Sequence, residues 1–341
     1  MGSKITDLMK SKEISISELK GKTLAVDGFN TLYMFLTTIR GPDGSPLIDS
    51  QGRITSHVQG LLSRLLNYLE EGIKLVFVFD GKSPDLKSEE TQRRKELKDK
   101  ARSLYQQAKE EKDIENMKKY AARTTFLTND MVEETKEFLD YLGIPWIQAP
   151  SEGEAQAAHL VKKGEAYAVV SQDADSLLNQ APRLIKNLSI GSRRKLPGKQ
   201  GYAEIHPELI ELNENLQRLK LTQDQLIYLA ILIGTDYNYG GVKGIGPKKG
   251  IKLIREHKPK EAFEKVKWQE HSDISWEKIY DVIKNMKVTD EYKIVFNKPN
   301  YSKIKEFLEQ RDFSQNRIER YIQRFEKIES QNKQKGLGEF F

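Results

Sequence analysis

The chain has 341 residues, enough for one large or two modest domains with a sizeable buried core. It has no cysteine, which excludes disulfides and thiolate metal sites and fits a cytoplasmic protein. No run approaches the roughly 20 apolar residues of a membrane span and no signal peptide is visible; the net charge is +6 and the charged fraction 31%, a Lys/Glu/Arg-rich composition like that of heat-adapted proteins.

In chain order the pattern predicts strand, helix, strand, a charged insertion, helix, strand, helix, strand, then mostly helix. Residues 23–27 form a first apolar run that closes on Asp27. A helix over 29–39 stops at Gly41-Pro42, and 41–53 reads as a Gly/Pro/Asp loop or short hairpin. Apolar residues at Val58, Leu61, Leu62, Leu65, Leu66 and Leu69 repeat with a helical period that ends at Gly72. A second buried strand over 75–80 closes on Asp80, and a third over 166–173 closes on Asp173. Continuous runs rich in Val and Phe suit strands buried on both faces of a parallel sheet.

Residues 83–123 break this pattern. They carry twelve Lys and Arg with acids interspersed, and too few apolar residues for a core-facing stripe. By charge pattern alone this is first a pair of solvated helices, and second a mobile basic arch. Beyond it, 131–142 is an amphipathic helix, 144–147 a short strand and 153–163 a helix. Residues 184–202 suggest a hairpin carrying Ser192-Arg-Arg-Lys195, 221–234 a helix, 268–330 helices with basic faces, and 331–341 a loose tail.

Seven acids fall where elements begin or end: Asp27, Asp80, Glu152, Glu154, Asp173, Asp175 and Asp236. Singly, each has a plain structural reading. Ser151 and Glu154 make a capping box, Asp173 an N-cap, and Gly234-Thr-Asp-Tyr237 a turn. Three of them, Asp27, Asp80 and Asp173, close buried strands and so share the carboxyl edge of a parallel sheet, where ligands bind. Carboxylates repel at short range, so a hard divalent cation, Mg²⁺ or Mn²⁺, is the matching partner. An acidic site on a basic protein points to a polyanionic substrate. Gly244-Ile-Gly-Pro-Lys-Lys249 is a tight turn into a helix start, followed by two lysines, a grip suited to phosphate backbone.

Taken together, these residues resemble the flap endonuclease family of structure-specific 5′ nucleases over nearly the whole chain. The specific pieces are Val26-Asp27-Gly28, Val78-Phe-Asp-Gly-Lys82, Ala149-Pro-Ser-Glu-Gly-Glu-Ala155, Ser171-Gln-Asp-Ala-Asp175, Ile233-Gly-Thr-Asp-Tyr237 and Gly244-Ile-Gly-Pro247. The resemblance implies an α/β fold: a central, mainly parallel sheet flanked by helices, with a helical arch near 83–125 and a helix-two-turn-helix motif near 222–258. It implies one nuclease domain over 1–330 and a flexible clamp-binding tail over 331–341. All seven acids match the family's metal ligands for two Mg²⁺. It assigns Lys87 and Arg94 to the foot of the arch as catalytic cations. It also makes Tyr33 a stacking aromatic, Gly2 a permissive start near the site, and the turn with Gly244, Gly246, Lys248 and Lys249 a duplex grip that often holds K⁺.

Gln334-Lys-Gly-Leu-Gly-Glu-Phe-Phe341 fits a sliding-clamp (PCNA) binding box, with Leu337, Phe340 and Phe341 at one-turn spacing beside Gln334. No basic tail follows the box, so a tail-dependent contact is not expected. The implied activity is divalent-metal hydrolysis of branched DNA bearing a 5′ flap, by a monomeric, prokaryotic-type protein, archaeal and nucleoid-associated. Two alternatives stay open: a related nuclease of bubbles, gaps or junctions, and a clamp-tethered DNA-binding scaffold with a vestigial site.

Overall fold

The computed structural model describes residues 4–42, 44–111, 113, 115–117, 120, 124–188, 192–195 and 202–338. In chain order these give β1 (Lys12–Glu13), β2 (Thr23–Asp27), α1 (Gly28–Thr38), α2 (Ser56–Glu70), β3 (Lys74–Phe79), α3 (Ser88–Glu110), α4 (Asn129–Leu142), β4 (Trp146–Gln148), α5 (Gly153–Lys162), β5 (Ala168–Val170) and α6 (Asp175–Leu178). There follow β6 (Arg183–Lys186), β7 (Ser192–Lys195), β8 (Tyr202–Ile205), β9 (Glu208–Glu211), α7 (Leu212–Leu219), α8 (Gln223–Ile233), α9 (Pro247–Glu256), α10 (Pro259–Lys265), α11 (Trp276–Lys284), α12 (Tyr301–Glu309) and α13 (Gln315–Gly338).

Seven strands form one sheet in the order β1-β9-β6-β5-β2-β3-β4. β6, β5, β2, β3 and β4 run parallel, and β9 is antiparallel to both its neighbours. β2 lies at the centre, with Asp27 opposite Val78 and Val26 opposite Val170.

Alternation along the central strands builds two cores. Ala25, Val76 and Val78 point to one face, under α5, α8, α9 and α11. Leu24, Val26, Leu75, Phe77 and Phe79 point to the other, under α1, α2, α4, α12 and α13. Both faces are covered, which is why these strands read as unbroken apolar runs.

Four expectations change. The polar β1 and the four-residue β9 join the sheet without any apolar run to announce them. The hairpin is β7 with β8, while β6 at residues 183–186 belongs to the central sheet. Residues 286–300 carry no helix; they cross the sheet flank as irregular chain, with Asn297 N–H donating to Gly143 O at 2.9 Å and Asn300 N–H to Tyr141 O at 2.8 Å. The backbone helix α13 runs through Gly338 instead of giving way to a loose tail near Ser330, because the segment holds no proline and no turn signal before Gly336. No described helix is long and apolar enough to cross a membrane.

Candidate active site

Every acid read from the sequence lies at the carboxyl edge of the sheet or on a turn facing it. Asp27 is the last residue of β2, and Asp80 follows β3 directly. Asp173 comes three residues after β5, and Asp175 opens α6. Glu152 caps α5 and Glu154 stands in its first turn, where the helix dipole favours negative charge. Asp236 sits on the turn after α8.

The sheet edge holds these groups close. Asp27 is 6% exposed and caps α1, accepting from Asn30 N–H at 3.0 Å and from the Ser171 hydroxyl at 3.1 Å. The same Ser171 oxygen accepts from Asp173 N–H at 3.2 Å. Asn30 Nδ2 donates to Asp173 Oδ2 at 3.1 Å, so one asparagine spans two acids. Asp80 Oδ1 accepts from Gly153 N–H at 2.5 Å, and a Cβ at Gly153 would lie 2.7 Å from that oxygen. Glycine is needed there because the carboxylate and the helix start are in direct contact.

Electrostatics shows the crowding. Burial and then the charge of Asp80 push the Asp27 carboxyl up to about 7. Burial, opposed by the Gly153 N–H and Lys87, raises Asp80. Glu154 rises well above the carboxylate range through burial and repulsion from Asp175, Asp27, Asp173 and Glu152. Like charges this close favour the protonated form unless a cation joins them.

One cation of the chain does join them. Lys87 Nζ lies 2.6 Å from Glu152 Oε1 and 3.4 Å from Asp236 Oδ2. Burial works against its charge, and the Glu152 and Asp236 carboxylates outweigh burial, so its pKa is raised. Lys87 closes a short 3₁₀ turn and caps α3, so it directly precedes the helix that carries Arg94. Arg94 lies in the second turn of α3, and its side chain falls outside the described residues.

The donor set suits a hard divalent cation, since all seven groups are carboxylates and the chain lacks cysteine. Among the described residues, no three acid or histidine side chains converge tightly enough to hold one ion as they stand. Ser171, Asn30, the Gly153 N–H and Lys87 engage the acids instead. The strong mutual repulsion at Asp27 and Glu154 is what bound cations would relieve.

Residues 3–101 match the XPG N-terminal domain and residues 143–236 the XPG I-region. The chain is 48% identical to flap endonuclease 1 of Staphylothermus marinus over 349 residues, covering 100% of each chain. It is 47% identical to that of Pyrococcus furiosus, covering 100% of this chain and 99% of the other. The chain belongs to the flap endonuclease 1 family. The solved flap endonuclease-1 from Methanococcus jannaschii shares the fold at TM-score 0.75 and 40% identity, covering 97% of this chain and 100% of that one. The activity is that of a structure-specific 5′ flap endonuclease, which hydrolyses phosphodiester bonds.

The other candidate residues lie on α1 and at the start of α9. Tyr33 stands on α1, 38% exposed, with Lys98 Nζ 5.7 Å from its ring centre. Gly246 caps α9, Pro247 is its first residue, and Gly244 holds φ +82°, so the turn has the shape its sequence demands. Lys249 Nζ donates to Gly244 O at 3.2 Å, and Lys248 is exposed. Gly2, Phe340 and Phe341 lie outside the described residues, as do the side chains of Gln334 and Leu337.

Three site residues carried no role in the sequence reading: Asn30, Ser171 and Tyr237. Ser171 and Tyr237 stood inside quoted motifs, which was their only signal. Tyr237 is buried, with Lys87 Nζ 5.6 Å from its ring centre; burial and Glu152 raise its hydroxyl pKa far up, keeping it neutral.

Proposed function

We propose that this flap endonuclease cuts the 5′ single-stranded flap of branched duplex DNA with two divalent cations, Mg²⁺ or Mn²⁺. The single observation that carries this reading is the crowding of acids at one sheet edge, with Asp27 and Glu154 held above the carboxylate range by burial and their neighbours. Asp27, Asp80, Glu152, Glu154, Asp173, Asp175 and Asp236 would hold the ions. Glu154 feels Asp175, Asp27, Asp173 and Glu152 together, which a bound cation would relieve. When bound, the cations supply Lewis-acid activation of water and neutralise charge on the phosphate.

The chain's own groups do the rest. Lys87, poised on Glu152 and Asp236, turns toward the scissile phosphate and offsets its developing charge, with Arg94 in the next turns of the same segment. Ser171 and Asn30 fix the acids by hydrogen bonds. The Gly244–Lys249 turn grips duplex backbone at a helix start, with K⁺ as a candidate ligand of its carbonyls. The box from Gln334 to Phe341 tethers the nuclease to a sliding clamp of the PCNA type.

The test is cleavage of labelled flap, bubble, nick and four-way-junction DNAs with Mg²⁺ and with chelator. The reading expects metal-dependent incision favouring the flap. Equal incision in chelator, or preference for bubbles or junctions, would count against it.

A further inference from the structure

Helix α3 is polar, with few side chains to bury: of its described residues, only Ala101 and Ala108 are buried. Apolar packing therefore contributes little to where its base sits. Cations placed over rings supply the contacts instead. Lys87 Nζ is 5.6 Å from the Tyr237 centroid, and Lys98 Nζ is 5.7 Å from Tyr33 and 4.9 Å from Phe126. The tightest is Arg93, whose guanidinium carbon lies 3.6 Å from the centre of the Tyr239 ring.

Tyr239 stands on the turn that carries Asp236 and is 62% exposed, so its ring adds little to the core. The turn beneath it is rigid. Thr235 Oγ1 donates to Asn238 Oδ1 at 2.6 Å, Asn238 Nδ2 donates to Ile231 O at 2.7 Å, and a Cβ at Gly241 would lie 2.4 Å from the Ile233 carbonyl carbon. A guanidinium centred this closely over a ring so mounted is a favourable, localising contact. Arg93 precedes Arg94 and follows the Lys87 cap by six residues, so holding it sets the first turns of the helix against the acid cluster.

We propose that Tyr239 is a positioning residue for cleavage: by seating Arg93 it locks the base of α3 beside Asp236 and orients Lys87 and Arg94. This inference rests on the flap-cutting reading. It makes the ring, and not the phenol oxygen, the working part of Tyr239. Near exposed sites such contacts are modest, and about a two- to fivefold change in rate is the scale expected.

The experiment compares wild type, Tyr239→Phe, Tyr239→Ala, Arg93→Ala and the double alanine variant. It reads single-turnover flap cleavage at saturating enzyme, flap Kd without divalent metal, and the rate of trypsin cutting within α3 in the DNA-free protein. Tyr239→Ala and Arg93→Ala should each slow cleavage about two- to fivefold at unchanged Kd, with the double variant no slower than either. Tyr239→Phe should restore the rate, and trypsin should cut the alanine variants faster. A Tyr239→Phe as slow as the alanine variant, additive losses, or a changed Kd with an intact rate would overturn the proposal. Should the wild type fail to cut flaps, the flap reading falls, and equal trypsin rates across the series would then sink the latch on their own.

Discussion

Lys87 Nζ stands 2.6 Å from Glu152 Oε1, which puts a cation from the foot of α3 inside the ring of acids. In the free protein this lysine takes part of the neutralising role that metal ions would fill. Its position ties three elements together: the 3₁₀ turn ending at Lys87, the α5 cap at Glu152 and the Asp236 turn.

Removing that cation should therefore show twice. Lys87→Ala is expected to slow single-turnover cleavage by about 10²–10³-fold with little loss of flap affinity, the scale of losing a charge-stabilising donor. The same variant should melt earlier than wild type in chelator, with Mg²⁺ closing the gap, because acids left without Lys87 repel more strongly. A raised Kd with an intact chemical step would make Lys87 an ordinary phosphate contact.

Asp27 gives a pH signature. Its folded carboxyl titrates at about 7, against roughly 3.9 in an unfolded chain. Between those values the folded state binds a proton that the unfolded state has lost, so this stability is full below about pH 4 and is lost as pH rises toward 7. In metal-free protein the melting temperature of Asp27→Asn minus that of wild type should grow from about pH 5 to about pH 8. A difference that is flat or shrinks with pH contradicts the assignment.

The Gly-rich turn makes a salt prediction. Lys248→Ala with Lys249→Ala should weaken binding to all duplex substrates alike and lower the salt slope by about one unit per lost phosphate contact. Binding titrations over a salt series measure this. A shift in which substrate is preferred, at constant overall affinity, would mean that the turn reads branch geometry.

The C-terminal box is tested by calorimetry against a sliding clamp. Phe340→Ala with Phe341→Ala should abolish clamp binding and clamp-dependent stimulation, since aromatic anchors of this kind often contribute about 2 kcal/mol or more each. Unchanged clamp affinity would refute the tether.

The sequence announced the centre of the sheet best. Strand β2 and the acid closing it were legible because a strand buried on both faces must be apolar throughout, and Asp27 breaks the run. β1 and β9 were not, because a two-residue edge strand and the four-residue strand beside it, with Lys and Glu in them, carry no period. The acids were readable as types at element ends. The groups that hold them were not: Ser171 reaches Asp27 across 144 residues and Asn30 reaches Asp173 across 143, and no local pattern encodes such contacts. The irregular course of residues 286–300 was missed for the same reason, since its partners at Tyr141 and Gly143 are distant in sequence.

The most direct test of the account is single-turnover cleavage of a 5′-labelled flap by Asp175→Ala beside wild type at saturating Mg²⁺, with flap affinity measured on the same preparations. Asp175 opens α6 and is the acid that Glu154 feels most strongly. The account predicts that cleavage is abolished while flap binding persists or tightens, because a ligand and a phosphate-repelling charge are both removed. Cleavage within tenfold of wild type would contradict it.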